Sequence, residues 1–288
     1  KSAANTDWVA RQLARYADVR PADVGYSGMK DRHAIARQWF SVPSRGDADW
    51  ASFTAEGVTI LEVRRHHRKL RRGAHAGNQF RIALRTSQVA AKREVAEERL
   101  GLMAARGVPN YFGPQRFGRN GANLDLARRL FAGARLKRDK RSIAISAARS
   151  FLFNEILSLR VADGSWERIL PGELVNLDGS GSVFRAEAVD ATIERRVADL
   201  DIHPTATLCG LRSEMSDGVI ETLERHAIEA HDDLKTGLER RAVKAGHRPL
   251  RLRISDLSWE FEDDALWLEF RLPSGAFATS VLREIATL

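Results

Sequence analysis

The sequence predicts an α+β protein in which a mixed β-sheet, assembled from both ends of the chain, is interrupted by a mainly helical insertion. Three observations lead there. Segments in which apolar side chains alternate every second residue lie near the two ends, segments of helical periodicity fill the middle, and nothing repeats with the roughly 20–50-residue period of solenoids or propellers. The predicted boundaries place one discontinuous domain at residues 1–105 and 250–288 and the insertion at residues 106–249.

The spacing of Trp8, Val9, Leu13 and Tyr16 predicts a helix over residues 6–17, with Thr6 as its N-cap and Arg20-Pro21 closing it. Residues 24–28 and 38–42 read as short strands. Between them lies the polar loop Met29-Lys30-Asp31-Arg32-His33, preceded by Gly25 and Gly28. Residues 58–64 and 78–84 alternate in the manner of strands, and residues 87–106 form a helix opened by Ser87 and closed by Gly107. An ordered loop is expected over residues 107–118. Helices follow near residues 123–131 and 142–159, then a Gly- and Asp-rich stretch poor in strands at 164–182, then helices near 191–200 and 219–245. Strands return at 250–254 and 265–272, where Leu266, Leu268, Phe270 and Leu272 alternate with Trp267, Glu269 and Arg271. A last helix begins near residue 278.

A chain of 288 residues with 43% hydrophobic and 29% charged side chains has a core to bury, which excludes disordered, collagen-like and low-complexity classes. No stretch reaches the roughly 18 apolar residues of a membrane span, and the first residues lack the apolar run of a signal peptide. The single cysteine, Cys209, rules out an internal disulfide and an all-cysteine metal site and suits a reducing cytoplasm. The charge is unevenly placed. Residues 1–150 carry 30 Lys and Arg against 13 Asp and Glu, whereas residues 151–288 carry 16 against 25. Such asymmetry fits either a solvated basic face or a docking surface for a polyanion, most simply a nucleic acid. The densest patch joins Arg64, Arg65, His66, His67, Arg68, Lys69, Arg71 and Arg72, and a second cluster runs from residue 135 to residue 141. Cations flanking His66 and His67 oppose a metal ion there, so no metal is expected. P-loop, dinucleotide-binding, zincin and nucleophile-elbow motifs do not occur, which removes most support for those chemistries. His33, His75 and His203 stand alone and read as structural or RNA-facing histidines.

Asp31 is the residue with chemical promise. Lys30 and Arg32 on either side would hold its carboxylate ionised, which serves a salt-bridged turn and a nucleophile or base alike. Asn78 and Phe80 share one face of their strand and offer an amide and a ring to a planar base, or form an ordinary turn and core pair. Phe277, after Pro273-Ser274-Gly275, covers a pocket or plugs the core.

Together these pieces carry more weight. The run Gly25-Tyr26-Ser27-Gly28-Met29-Lys30-Asp31-Arg32-His33, continuing to Gln38-Trp39-Phe40, resembles the signature of the TruD family of pseudouridine synthases. Further blocks follow in family order: Arg68-Lys69-Leu70-Arg71 through Gly77-Asn78-Gln79-Phe80, the stretch from Pro109 to Gly118, Ser146 to Ser150 with Phe153-Asn154, His203-Pro204, and Phe277 to Glu284. The resemblance spans essentially the whole chain. It implies a pseudouridine-synthase catalytic domain with an inserted TRUD-type domain, and an enzyme that isomerises uridine in tRNA, chiefly at position 13, without cofactor or metal. It further implies Asp31 as the essential carboxylate, buried in its site and acting as nucleophile or base, with Lys30 as its electrostatic partner. Asn78, Phe80 and Phe277 become base- or nucleotide-contacting residues, and Arg64, Arg65, Arg68, Lys69, Arg71 and Arg72, with the 135–141 cluster, RNA phosphate contacts. A cytoplasmic monomer with no obligate protein partner is expected.

Two departures stand out. Relatives begin with a segment bearing a Glu-Asp-Phe-type strand that this sequence lacks, which suggests truncation. Ser27 stands where many relatives have a small residue such as alanine. The competing readings are an RNA-binding module or tRNA-folding chaperone without efficient catalysis, and a synthase acting on ribosomal RNA or mRNA. Neutralising Arg68, Lys69, Arg71 and Arg72 together is expected to weaken RNA binding and flatten its salt dependence in proportion to the number of phosphates these cations neutralise, measured by titration over a range of salt concentrations.

Overall fold

The computed structural model describes residues 1–43, 48–211 and 218–286, and the chain divides into two units, Lys1–Asn78 and Gln79–Leu288. The first unit contains α1 (Thr6–Tyr16), β1 (Gly25–Tyr26) and β2 (Phe40–Ser41). From the unit boundary onward come β3 (Gly77–Arg85), α2 (Val89–Arg106), β4 (Val108–Pro109), α3 (Ala122–Phe131), α4 (Arg138–Ala162), β5 (Glu173–Leu177) and β6 (Val183–Ala186). They are followed by α5 (Ala191–Ala198), β7 (Ile202–Leu208), α6 (Val219–Glu229), α7 (Asp232–Arg240), β8 (Gly246–Pro249), β9 (Arg251–Leu252), β10 (Ser255–Phe261), β11 (Ala265–Pro273) and α8 (Ala278–Leu282).

In the first unit, α1 buries Val9, Ala10, Leu13 and Ala14, with Phe53 and Val24 as buried neighbours in the same apolar clusters. The N-cap position belongs to Asn5 and not to Thr6, which is the first helical residue, is fully buried, and spends its hydroxyl elsewhere. Strands β1 and β2 pair antiparallel, Gly25 with Ser41 and Tyr26 with Phe40, and are shorter than the alternation suggested. Gly25 is required by close approach: a Cβ there would lie 2.4 Å from the Leu70 carbonyl oxygen and 2.5 Å from Ser41 Oγ. The strand expected at residues 58–64 is absent; Val58 makes only an isolated bridge to Ala55, and residues 61–69 are exposed on both alternating faces. Alternation without a surface to cover does not hold a strand.

In the second unit, one three-stranded sheet has the order β10-β11-β3. Leu266, Leu268, Phe270 and Leu272 of β11 are buried in one cluster with Leu100 and Met103 of α2 and with Val281 and Leu282 of α8. The sequence reading missed β10, an edge strand whose Leu257, Trp259 and Phe261 are only half-buried and whose pairing with β11 shifts register between Ser255 and Ser258. The expected loop after Gly107 begins as β4, paired antiparallel with β9.

The middle of the chain is helical in the main, as expected, and also holds a four-stranded antiparallel sheet of order β6-β5-β7-β8. Strand β5 falls inside the stretch expected to be poor in strands. Its buried polar residues disguise it: Glu173 meets Arg160, and Asn176 donates to the Ser180 and Ser182 carbonyls, both at 3.0 Å. The single helix expected over 219–245 is two, α6 and α7, broken at His231, whose backbone leaves the helical region just before Asp232 and Asp233 open the next first turn. Helix α4 contributes Ala144, Ala148, Leu152, Phe153, Ile156 and Leu157 to the largest core among the described residues, which Leu130 of α3 and Leu234 and Leu238 of α7 join.

Among the described residues, one ion pair of this unit is buried on both sides. Arg160 donates from Nη1 to Glu173 at 2.8 Å and from Nη2 to the Ser165 and Arg168 carbonyls at 2.8 and 3.0 Å. Burial pushes the Glu173 carboxyl from its ordinary 4.5 up to about 7, against the pull of Arg160. Glu173→Ala, which leaves a buried guanidinium without its partner, is expected to cost about 3–5 kcal/mol in chemical denaturation, and Arg160→Met with Glu173→Leu to recover most of it. Because the folded value is the raised one, the Glu173 contribution is present in full below pH 4.5 and is lost as pH rises through about 7, a component the double variant lacks.

Candidate active site

The loop that carries Asp31 has almost no ladder of its own, since β1 and β2 share only two residue pairs. Side chains hold it instead. Thr6 Oγ1 accepts the Lys30 amide at 3.0 Å and donates to Gln38 Oε1 at 3.5 Å, while Gln38 Nε2 donates to the Ser27 and Gly28 carbonyls at 3.1 and 2.7 Å. Ser27 Oγ accepts the His75 amide at 3.0 Å and lies 2.7 Å from His75 Nδ1. Gly28 sits at φ 78°, with the His75 ring against it where a Cβ would project, so a side chain there meets both strain and a neighbour. Lys1 Nζ reaches the Asp31 carbonyl at 2.7 Å.

The Asp31 side chain differs from expectation in two ways. It is exposed, not buried, and among the described residues it has no ion-pair partner. Its Oδ1 accepts the His33 amide at 2.9 Å, the local turn bond that short carboxylates favour. Lys30, expected to face Asp31, turns the other way and donates from Nζ to Asn78 Oδ1. Adjacent side chains on an extended stretch point apart, which is why sequence neighbours make poor ion pairs. Burial, and then the charge of Lys1, hold the Lys30 ammonium below its usual value. Asn78 Nδ2 also lies 3.5 Å from His75 Nε2. Lys30 and Asn78 are therefore together, joined through His75 to Ser27.

Phe80 and Phe277 belong to the second unit and have different surroundings. The Phe80 ring stacks on Phe270 at 5.3 Å between centroids and 27° between planes, half-buried against the sheet core. Phe277 sits at the start of α8 edge-on to Phe112 at 5.8 Å, with the Arg116 guanidinium 5.5 Å from its ring centre. The basic stretch lies in the first unit and is exposed, but several of its cations have intramolecular uses. Arg64 pairs with Glu62, Lys69 Nζ donates to the Ala22 carbonyl at 2.5 Å, and Arg72 reaches the Tyr26 hydroxyl. Arg68 and Arg71 are exposed, Arg65 has a partner of its own, and His66 and His67 stack at 4.8 Å.

Sequence reading missed Thr6 as the residue that fixes the loop, because its position before a helix suggested a cap. It also treated His75 as isolated and gave Ser27 no weight; a hydrogen bond between positions 48 residues apart leaves no local pattern. His203 is structural: Arg251 Nε donates to its Nδ1 at 3.0 Å, leaving Nε2 to donate to Asp178 at 2.9 Å. Burial pushes the Cys209 thiol up to about 12, which keeps it protonated. Among the described residues no three His, Cys, Asp or Glu side chains converge as metal ligands, and no helix is long and apolar enough to cross a membrane.

The sequence model of the family tRNA pseudouridine synthase D (TruD) matches residues 1–131 and 130–285. The chain belongs to the TruD family. It is 47% identical over 290 residues to the tRNA pseudouridine synthase D of Methylococcus capsulatus, covering 99% of this chain and 81% of that protein. With the Nitrosococcus oceani protein of the same name it shares 46% identity, covering 98% of this chain and 80% of the relative. The fold agrees with that of a TruD structure from Methanosarcina mazei at a TM-score of 0.77, with 18% identity, over 98% of this chain and 85% of the other. The α+β class read from the sequence is thus the fold of the TruD family.

Thr6→Val keeps the volume of the side chain and removes the hydroxyl that joins α1 to the Lys30 amide and Gln38. It is expected to cost about 1–3 kcal/mol in thermal or urea unfolding, and to lower kcat on tRNA at least tenfold while leaving the tRNA Kd within a few-fold.

Proposed function

We propose that this chain isomerises a specific uridine of tRNA to pseudouridine, with position 13 as the target, in the cytoplasm and as a monomer. The observation that carries the reading is family membership along nearly the whole chain, with a carboxylate at Asp31 on a loop fixed by the buried Thr6 and the half-buried Gln38 and Ser27. In the reaction the N1–C1′ glycosidic bond breaks, the uracil turns, and a C5–C1′ bond forms as C5 gives up its proton and N1 regains one. Asp31 acts on the ribose while the first bond breaks, as a nucleophile or as the base that takes its proton. A single carboxylate suits isomerisation better than hydrolysis, which ordinarily pairs two carboxyl groups about 5–9.5 Å apart and admits water.

Extruding the target uridine from its stack costs a few kcal/mol, recovered by stacking and polar contacts to the base. Asn78, Lys30, Phe80 and Phe277 supply those contacts on this reading: an amide held by an ammonium, one ring backed by Phe270, and another backed by Phe112. The exposed Arg68 and Arg71, with Arg64, Arg65, Lys69 and Arg72, meet phosphates, which position RNA without reading its sequence. Residues 1–105 with 250–288 act as the catalytic part and 106–249 as the TRUD-type part.

Asp31→Asn preserves shape and removes the reacting group. It is expected to abolish pseudouridine, mapped as carbodiimide-resistant reverse-transcription stops on unmodified tRNA transcripts, and to leave tRNA binding within a few-fold. Comparable activity in the variant would overturn the mechanism, and binding without stops in the parent chain would overturn the enzyme.

A further inference from the structure

Five arginines of the second unit, Arg116, Arg138, Arg141, Arg149 and Arg248, have no carboxylate partner among the described residues. Three of them, Arg138, Arg141 and Arg149, line a cleft of about 440 Å³ together with Ser142 and Ser146. Their spacing puts them on one face of α4, since residues three, four, seven, eight and eleven apart recur along a helix. From Arg138 to Arg149 that face rises about 16 Å at about 1.5 Å per residue. The same helix buries Ala144, Ala147, Ala148 and Leu152, so the arginines stand on a support anchored in the core.

The cleft is not simply a basic surface. Phe112, Ile145 and Leu208 give it an apolar wall, and the wall is built to stay in place. The Phe112 amide donates to Asn154 Oδ1 at 2.9 Å while Asn154 Nδ2 donates to the Phe112 carbonyl at 3.0 Å, clamping the backbone from both sides. The Arg248 guanidinium lies 4.1 Å from the Phe112 ring centre and donates to Asn110 Oδ1 at 2.5 Å, and Arg116 donates to Ser146 Oγ at 2.8 Å. Arg149 is aimed by the Leu208 and Cys209 carbonyls at 3.1 and 3.2 Å. Burial, and then the charge of Arg116, hold the Arg248 guanidinium down at about 9.

Unpaired guanidinium groups beside a fixed apolar wall, in a cleft of the size that small ligands occupy, call for a ligand with a phosphate at one end and a flat ring at the other. We propose that this cleft holds one nucleotide of the bound RNA, its phosphate on Arg138 and Arg141 and its base against Phe112, Ile145 and Leu208. Base stacking on an aromatic wall with arginine on the phosphate is the usual way proteins hold an unstacked nucleotide. The choice of RNA as the source of the nucleotide rests on the tRNA reading above; the nucleotide-binding property of the cleft does not.

The test is calorimetric titration of the full chain with the 5′-monophosphates of adenosine, cytidine and guanosine, which offer no uracil to the reacting site, and with inorganic phosphate and the free nucleosides as probes of each end. At least one monophosphate is expected to bind at least tenfold more tightly than phosphate or its nucleoside. Arg141→Ala, and Ile145→Trp, which fills the cleft, are each expected to weaken it at least tenfold without a change in thermal melting, and Ile145→Trp to raise KM for tRNA more than it lowers kcat. Phosphate binding as tightly as every monophosphate would reduce the cleft to an anion site and overturn the proposal. So would binding by no monophosphate, or binding unaffected by either variant. The titrations require no pseudouridine assay, so loss of the tRNA reading and loss of the nucleotide cleft are separate results.

Discussion

A reactive loop cannot be both irregular and well placed unless something other than a β-ladder satisfies its backbone. In this chain the buried hydroxyl of Thr6 does so, by accepting the Lys30 amide and engaging Gln38, whose own amide then serves the Ser27 and Gly28 carbonyls. The position of Asp31 thus depends on α1, which is held in turn by its apolar face of Val9, Ala10, Leu13 and Ala14. Packing energy supplied by a helix is converted into loop geometry through one side chain.

A second constraint operates in the other unit. There α4 carries both core side chains and arginines without a carboxylate partner, and the Asn154 side chain on the same helix pins the backbone of Phe112. A single long element therefore sets the floor, the wall and the charge of the cleft. Rigid support of this kind limits the entropy that ordering the binding groups would otherwise cost.

What was legible in the sequence follows from how local each signal is. The alternation of Leu266, Leu268, Phe270 and Leu272 and the helical spacing of Val9 and Leu13 report burial of whole faces, and the elements stand where those patterns lie. The polar loop at residues 29–33 between Gly25 and Gly28 and the next strand was also legible, because close backbone approach at Gly25 and positive φ at Gly28 restrict the residue type. Strands β5 and β7 were hidden because Glu173, Asn176, His203, Thr205 and Thr207 are buried with specific partners, and polar residues in the interior defeat any pattern built on hydrophobicity. The direction of the Lys30 side chain was hidden for a related reason. Its partner Asn78 is remote in sequence, whereas Asp31, the obvious candidate, is next to it and turns to the His33 amide.

The exposure of Asp31 bears on how an isomerase avoids becoming a hydrolase. On the proposed mechanism, once the glycosidic bond is broken, a water molecule at the ribose would compete with the turned uracil for the same carbon. The free chain leaves this carboxylate open to solvent, so the dryness the reaction needs must arrive with the RNA. The substrate then acts as the stopper of its own reaction vessel, and fragments too short to seal it are expected to bind without being converted.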